Sequence, residues 1–356
     1  MKHGTEWSGL FIHTMEEAEE DYSRAAELIK KASILLIMSG AGMSAESGLR
    51  TYEEINQDSH SELEYRDYCD PDLLRHNPIE FWKFWAASAN EYKKAQPHKG
   101  YQILKELRDI KHNACSKDMQ DYFATFFKEH DYTRYGREDL PSSFFVYSSN
   151  VDGLFAKSGI PPTEILEIHG NANVLQCADG VECKGRDAES HRYWTADLPE
   201  TVNTREDLPR CPCCKKICRP SVLMFCDEEW IGLEGGGTSD FDLYDVWEEA
   251  VEGYLKEHDD ASIVIVEVGC GDRVPVVKME SETVLGDITN VLTEDGTKNV
   301  EGVSDRVSLV RINMKKSEFL DYHKEWSHGK SFIDKKSVIC LEGPCGEVLD
   351  HLYSMM

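Results

Sequence analysis

Apolar residues fall along this chain in short dense runs, separated by longer stretches in which they recur every three or four positions. The first run, ASILLIM over Ala32 to Met38, is interrupted only by Ser33 and has the length of a strand buried on both faces. Similar runs follow at Ser143 to Tyr147, Glu164 to Ile168, Ser262 to Val268 and Val307 to Ile312. Residues 16 to 31 lead into the first run with helical composition, placing Ala25, Leu28 and Ile29 on one plausible buried face. Strands of this kind alternating with helical stretches predict an α/β fold with a doubly wound parallel sheet, whose ligands lie at the carboxyl ends of the strands.

Two stretches depart from this rhythm. Residues 170 to 220 hold six cysteines and little periodic hydrophobicity, so their order is expected to come from a metal rather than from a core. Residues 51 to 110 carry aromatic-rich helical patterns, including Phe81, Trp82, Phe84 and Trp85. The expected organisation is a Rossmann-like domain from 20–50, 140–170 and 221–356, with a smaller domain from the helical segment 51–110 and a zinc-binding module at 171–220. The polar segment 111–139 reads as a surface insertion.

Composition narrows the classes. The chain has 356 residues and 40% hydrophobic content, enough for one large core or a core with a satellite module. A formal charge of -27 repels a phosphate backbone, so no direct nucleic-acid partner is expected. The first 30 residues are rich in Glu, and the apolar run after them is too short to cross a bilayer, which gives the expectation of a soluble intracellular protein without a membrane partner. The cytoplasm is the first choice and the nucleus stays open. The 12 cysteines, four of them packed between Cys211 and Cys218, fit metal ligation better than a disulfide scaffold.

Candidate chemistry follows the strands. Ser39-Gly40-Ala41-Gly42-Met43-Ser44 comes directly after the first run and suits close backbone approach to a pyrophosphate, although a tight strand-to-helix turn alone would use the same glycines. Ser149-Asn150-Val151-Asp152 follows the second run and His169-Gly170 the third, so an Asn, an Asp and a His converge on one crevice where a ribose could be oriented and deprotonated. Cys211 and Cys214 have the spacing that presents two thiolates to a tetrahedral ion. Cys177 and Cys183 offer the other pair, with Cys213 or Cys218 as substitutes for one ligand. A four-thiolate zinc is structural.

The blocks GAGMSAESG, SNVDGLF, EIHGN, CPCCKKICRPSVLMF, VEVGCG and LVRIN occur in the order of the motifs of the sirtuin family, which the chain resembles over roughly residues 30 to 350. The pairing of SNVDG with RPSVLMF is closer to a bacterial-type subgroup. The resemblance implies an NAD-dependent protein deacylase acting on acyl-lysine proteins. In that reaction the acyl amide oxygen attacks the ribose carbon bearing nicotinamide, and a base then activates a ribose hydroxyl, giving free lysine and O-acyl-ADP-ribose. It implies NAD contacts at Gly40, Ala41, Gly42, Ser44, Glu46, Ser149, Gly269, Cys270, Asn313 and Cys345, with Tyr52 shielding the reactive ribose. Asn150 and Asp152 would hold the nicotinamide end and His169 would be the base. Val222, Leu223, Met224 and Phe225 would pair with the substrate backbone, where an ordinary edge strand is the bland alternative.

The chain departs from the family where Gly48-Leu49-Arg50-Thr51-Tyr52-Glu53 replaces a Gly-Ile-Pro-x-Phe-Arg pattern, so that Glu53 reverses a charge that Arg50 is then expected to supply. Ser149 replaces a Gln, and Cys226-Asp227 stands where Gly-Glu is common. Two other classes stay open: ADP-ribosyl transfer or NAD hydrolysis in the same cleft, and an impaired module that binds NAD or acyl-peptide.

Overall fold

The computed structural model describes residues 6–51, 54–55, 63–132, 140–179, 183, 194–231, 240–293, 302–315 and 335–356. Tyr52 and Glu53 lie outside the described residues. Six strands form one sheet: β1 (Ile34–Ser39), β2 (Phe144–Ser148), β3 (Ile165–Glu167), then, after a separate pair β4 (Gly170–Cys177) and β5 (Cys218–Val222), β6 (Ile263–Val268), β7 (Val307–Asn313) and β8 (Val338–Glu342). Their order is β3-β2-β1-β6-β7-β8, and every pairing is parallel. The chain winds outward from β1 in one direction and then from β6 in the other, so the strand order reverses between β1 and β6, which is where such sheets open a ligand crevice.

Alternation along each strand fills two cores. Leu35 and Ile37 of β1, Phe144 and Val146 of β2, and Val264 and Val266 of β6 point to one face. That face is covered by α1 (Glu6–Lys31), α6 (Lys99–Ala114) and α11 (Cys345–Met355). Ile34, Leu36, Met38, Phe145, Tyr147, Ile263 and Ile265 point to the other. There α7 (Lys117–Glu129), α9 (Asp240–Glu257) and α10 (Val276–Thr293) pack, the short α8 (Leu154–Lys157) having linked β2 to β3. All six residues of β1 are buried, as expected of a central parallel strand covered on both faces.

A third core joins the helical segment to the cysteine module. Between β1 and α6 come the short helices α2 (Ala41–Ala45), α3 (Tyr65–Tyr68) and α4 (Pro71–His76), then the longer α5 (Pro78–Lys94). Phe81, Trp82 and Trp85 of α5 pack against Ala172, Leu175, Cys218 and Val222 of the antiparallel β4–β5 pair. The indoles also lock the helix by hydrogen bonds, Trp82 Nε1 to Cys218 O at 3.0 Å and Trp85 Nε1 to Tyr68 O at 2.9 Å. The aromatic-rich segment therefore divides: α5 joins the cysteine module, while α6 buries Tyr101, Ile103, Leu104 and Leu107 on the large sheet. The segment read as a surface insertion holds α7, whose Met119, Phe123 and Phe127 recur every four residues and enter the second core.

Candidate active site and metal centre

The strand ends meet where β1 gives way to the glycine turn. Gly40 N–H donates to Val268 O at 3.0 Å and Gly42 N–H to Gly269 O at 2.9 Å, so these amides clamp the turn to the end of β6. Gly269 itself has φ +64, and a Cβ there would stand 2.3 Å from Met43 N, a separation that no side chain can occupy. The two glycine segments thus interlock backbone to backbone at the switch point of the sheet. Fully buried Ser39, the last residue of β1, has a hydroxyl with no hydrogen-bond partner among the described residues.

Ser44, on α2, is the hub of the buried polar cluster. Its hydroxyl donates to Asp152 Oδ2 at 2.6 Å, lies 2.9 Å from the Tyr101 hydroxyl and receives Asn150 Nδ2 at 3.0 Å. Asn150 Nδ2 also reaches Gly40 O at 3.0 Å, tying the end of β2 to the turn after β1. Burial pushes the Asp152 carboxyl upward, opposed by its bonds from Ser44 and from Leu154 N–H. Tyr101 is held neutral by burial and by the neighbouring Asp152. Neither Tyr101 nor His98, which accepts from Gly100 N–H through Nδ1 and donates from Nε2 to Met43 O at 2.7 Å, was marked by the strand runs. Both belong to the start of α6, and the Pro-His-Lys-Gly sequence that caps this helix is the signal that could have found them.

His169 follows β3 at the same end of the sheet. A carbonyl only accepts, so the 3.2 Å contact to Ser149 O places the proton on Nδ1 and leaves Nε2 as the basic nitrogen. Burial lowers its pKa, the bond to Ser149 opposing, and the ring is neutral at pH 7. Gly170, with φ +77, lets β4 leave at once: a Cβ there would meet Ser221 O at 2.1 Å.

The other expected contacts are distributed around this core. Ser149 N–H donates to Ser39 O at 3.0 Å. Glu46 accepts from Gly346 N–H at 2.5 Å, joining α2 to α11, whose first residue is the buried Cys345. Burial pushes the Cys345 thiol to about 12. Asn313 Nδ2 donates to Cys270 O at 2.6 Å, while the Cys270 thiol is buried against Met38 O and Val268 O. Arg50 turns to Glu91 of α5 at 3.7 Å.

The segment after β5 differs from the expected Ser221 to Phe225 strand. Pairing stops at Val222, and the N–H groups of Leu223, Met224 and Phe225 go to His169 O, Asp227 Oδ2 and Cys69 O. The cause is a buried ion pair: Arg219 binds Asp227 through both terminal nitrogens and also donates to Val222 O at 2.5 Å. Asp227 accepts Glu229 N–H as well. Val222 and Met224 are buried and Leu223 is exposed, while Phe225 lies half-buried beneath the Arg66 guanidinium, 5.1 Å from its ring centre.

The metal centre is built from Cys177, Cys183, Cys211 and Cys214, whose sulfurs all lie within 4.8 Å of one another. Cys177 and Cys214 are 3.5 Å apart and Cys183 and Cys211 3.8 Å. A tetrahedral zinc with bonds of about 2.3 Å needs sulfurs about 3.8 Å apart, so the set fits the ion with shifts of no more than about 1 Å. Cys213 is exposed and Cys218 is buried elsewhere, its thiol pushed to about 12 by burial, and neither belongs to the tetrad. All four positions around such an ion are filled by protein, which makes it structural.

Comparison with known proteins accords with this geometry. A family model described as the Sir2 family matches residues 114–230. An NAD-dependent protein deacylase of Deinococcus radiodurans is 30% identical over 161 residues, 45% of this chain and 53% of the relative. NAD-dependent protein deacylase 2 of Pseudomonas aeruginosa is 24% identical over 214 residues, 59% of this chain and 67% of the relative. The matched segments thus span between half and two thirds of these relatives. A solved structure titled as a Sir2 homolog–NAD complex superposes with a TM-score of 0.52 at 18% identity, covering 93% of this chain and 92% of that one. The structure of Sir2Tm bound to a propionylated peptide gives 0.50 at 16% identity, covering 92% and 95%. With its doubly wound sheet and its cysteine tetrad, the chain is similar to the Sir2 family in sequence over residues 114–230 and shares the fold of the solved Sir2 homologues.

Proposed function

We propose that this chain is an NAD-dependent protein-lysine deacylase that releases nicotinamide and O-acyl-ADP-ribose. The observation that carries the reading is the position of His169: a neutral imidazole, its proton held on Nδ1 by Ser149 O, at the same strand edge as the Asn150–Ser44–Asp152 cluster. When bound, NAD supplies an electrophilic ribose carbon through its bond to nicotinamide. The interlocked glycines at Gly40, Gly42 and Gly269 allow close approach of its phosphates, and Asn313 and Cys345 lie at the strand ends where the adenosine half would rest. Asn150 and Asp152 orient the nicotinamide end, with Ser44 fixing both. His169 Nε2 accepts the proton of the ribose hydroxyl, a role that suits a pKa near or below neutrality.

The substrate is an acyl-lysine in a protein, taken in alongside Val222, Leu223, Met224 and Phe225. Because the N–H groups of 223 to 225 are engaged, the peptide would bind chiefly to carbonyls and to the exposed Leu223. Val151 and Phe225 offer an apolar wall for a short acyl chain. The zinc holds the module that carries this strand. We place the protein inside the cell, where reducing conditions keep the four ligand thiols free.

The test is nicotinamide release from NAD with and without an acetyl-lysine peptide. Release should depend on the peptide and fall at least about 100-fold in His169→Ala. Release without peptide would overturn the reading in favour of NAD hydrolysis. NAD binding without any release would favour a binding module.

A further inference from the structure

A surface remote from the crevice has chemistry that deacylation leaves unused. Beside the buried stripe of α7, a second stripe at the same spacing, Asp118, Tyr122 and Phe126 flanked by Asp121, Thr125 and Glu129, stays at the surface with its two rings half-buried. Together with Glu257 of α9 these residues line an open groove of about 530 Å³. Its floor is aromatic: Tyr122 and Phe126 stack at 6.2 Å, Phe126 and His130 at 4.5 Å, and Tyr254 meets Tyr122 edge-on at 5.3 Å. Gly253 makes the floor possible, since a Cβ there would stand 2.4 Å from the Tyr122 hydroxyl. A glycine inside a helix is unfavourable against alanine, and here it seats a ring.

The acids of the groove are spread along it. Among the described residues the four cysteines are the set whose ligand atoms converge within metal-binding reach, so these carboxylates suit an extended cation rather than a point-like ion. Four of the seven residues that line the groove, Asp118, Asp121, Glu129 and Glu257, are acidic and none of the seven is basic. We propose that this groove docks a lysine- or arginine-rich segment of a partner polypeptide. The methylene stems of the segment cover the exposed parts of the Tyr122 and Phe126 rings, and Asp121, Glu129 and Glu257 neutralise its cationic heads. The net charge of -27 draws such a segment in from a distance. Asp118 meets His258 at 2.9 Å just ahead of β6, and Cys115 approaches Ser142 just ahead of β2. One end of the groove therefore lies at the amino-terminal edge of the sheet, opposite the crevice, and docking leaves the crevice open.

The experiment is fluorescence anisotropy of labelled decalysine with the zinc-loaded full chain. Binding is expected to weaken at least about tenfold in Asp121→Lys/Glu129→Lys and in Tyr122→Ala, and to weaken with added salt. A second double variant, Glu200→Lys/Glu206→Lys, changes the net charge equally at exposed positions elsewhere and should bind like the native chain. Equal loss in both double variants would overturn the proposal, because the whole acidic surface would then be the ligand site. A dimer in sedimentation that dissociates in the groove variant would also overturn it, assigning the groove to a second copy of the chain. The readout is binding rather than turnover, so it stands or falls separately from the deacylase reading.

Discussion

Asp227 shows how much one buried carboxylate organises. Its side chain is fully buried, pairs with Arg219 and accepts the N–H groups of Met224 and Glu229, so the turn after β5 has its shape because of this side chain. Asp227→Ala leaves the Arg219 guanidinium buried and unpaired, and breaking such a pair typically costs about 3–5 kcal/mol. Thermal unfolding should show a loss of that size, and binding of an acyl-lysine peptide should weaken while NAD binding persists. The candidates His169, Asn150 and Asp152 were legible in the sequence because each stands within a few residues of the end of an apolar run, and strand ends are where ligands bind. It did not find the Arg219–Asp227 pair or the buried Glu267–Arg311–Glu282 cluster, whose contacts are 2.8 to 3.0 Å. Charged residues are ordinarily solvated, and nothing in their spacing marks partners that only the fold brings together.

At the scale of elements, five of the six sheet strands were legible as dense apolar runs, because both faces of those strands are covered. The sixth, β8, escaped because Val338–Glu342 alternates between buried and partly exposed positions, whereas β3 at the other edge of the sheet keeps a dense apolar run. The cysteine module was legible from its Cys-x-x-Cys half, while the part of the third core that reaches into it, Leu175, Val202 and Leu208, had no periodic pattern to mark it. Its own apolar cluster is small, Cys177, Cys183 and Cys211 with Trp194 and Cys214 against them. Chelation of zinc, or Cys211→Ser, should therefore disorder this module first. The expected signature is a shift of Trp194 fluorescence with little change in far-ultraviolet dichroism, since the large sheet does not depend on the ion. Simultaneous collapse of both would show that the module holds the whole molecule together.

Across the whole molecule the acidic excess reaches inside as well as over the surface. Where α9 packs on α10, the half-buried Glu248 stands beside Glu280, Glu252, Asp287 and Asp245, and desolvation followed by these charges raises its pKa to about 8. Tyr244 donates to Glu280 at 3.2 Å in the same seam. The folded chain thus holds a proton that the unfolded chain, with an ordinary value of 4.5, releases. Stability from this group is complete below pH 4.5, declines as pH rises toward about 8 and is flat beyond. Glu248→Gln should remove that contribution to the slope, raising the melting temperature at pH 8 relative to the native chain more than at pH 5. Equal shifts at both values would show that Glu248 is already ionised in the fold.

The strand order also sets a schedule for synthesis. Ile34 pairs with Ile263 and Leu35 with Phe144, so the most apolar strand of the sheet is made early and acquires its two neighbours roughly 110 and 230 residues later. At about 5–20 residues per second, the β6 side of β1 emerges from the ribosome unpaired for roughly 10 to 45 seconds. The switch point that opens the crevice therefore closes third of the five strand junctions, after β1–β2 and β2–β3, and the nascent chain must keep ILLIMS shielded until β6 arrives.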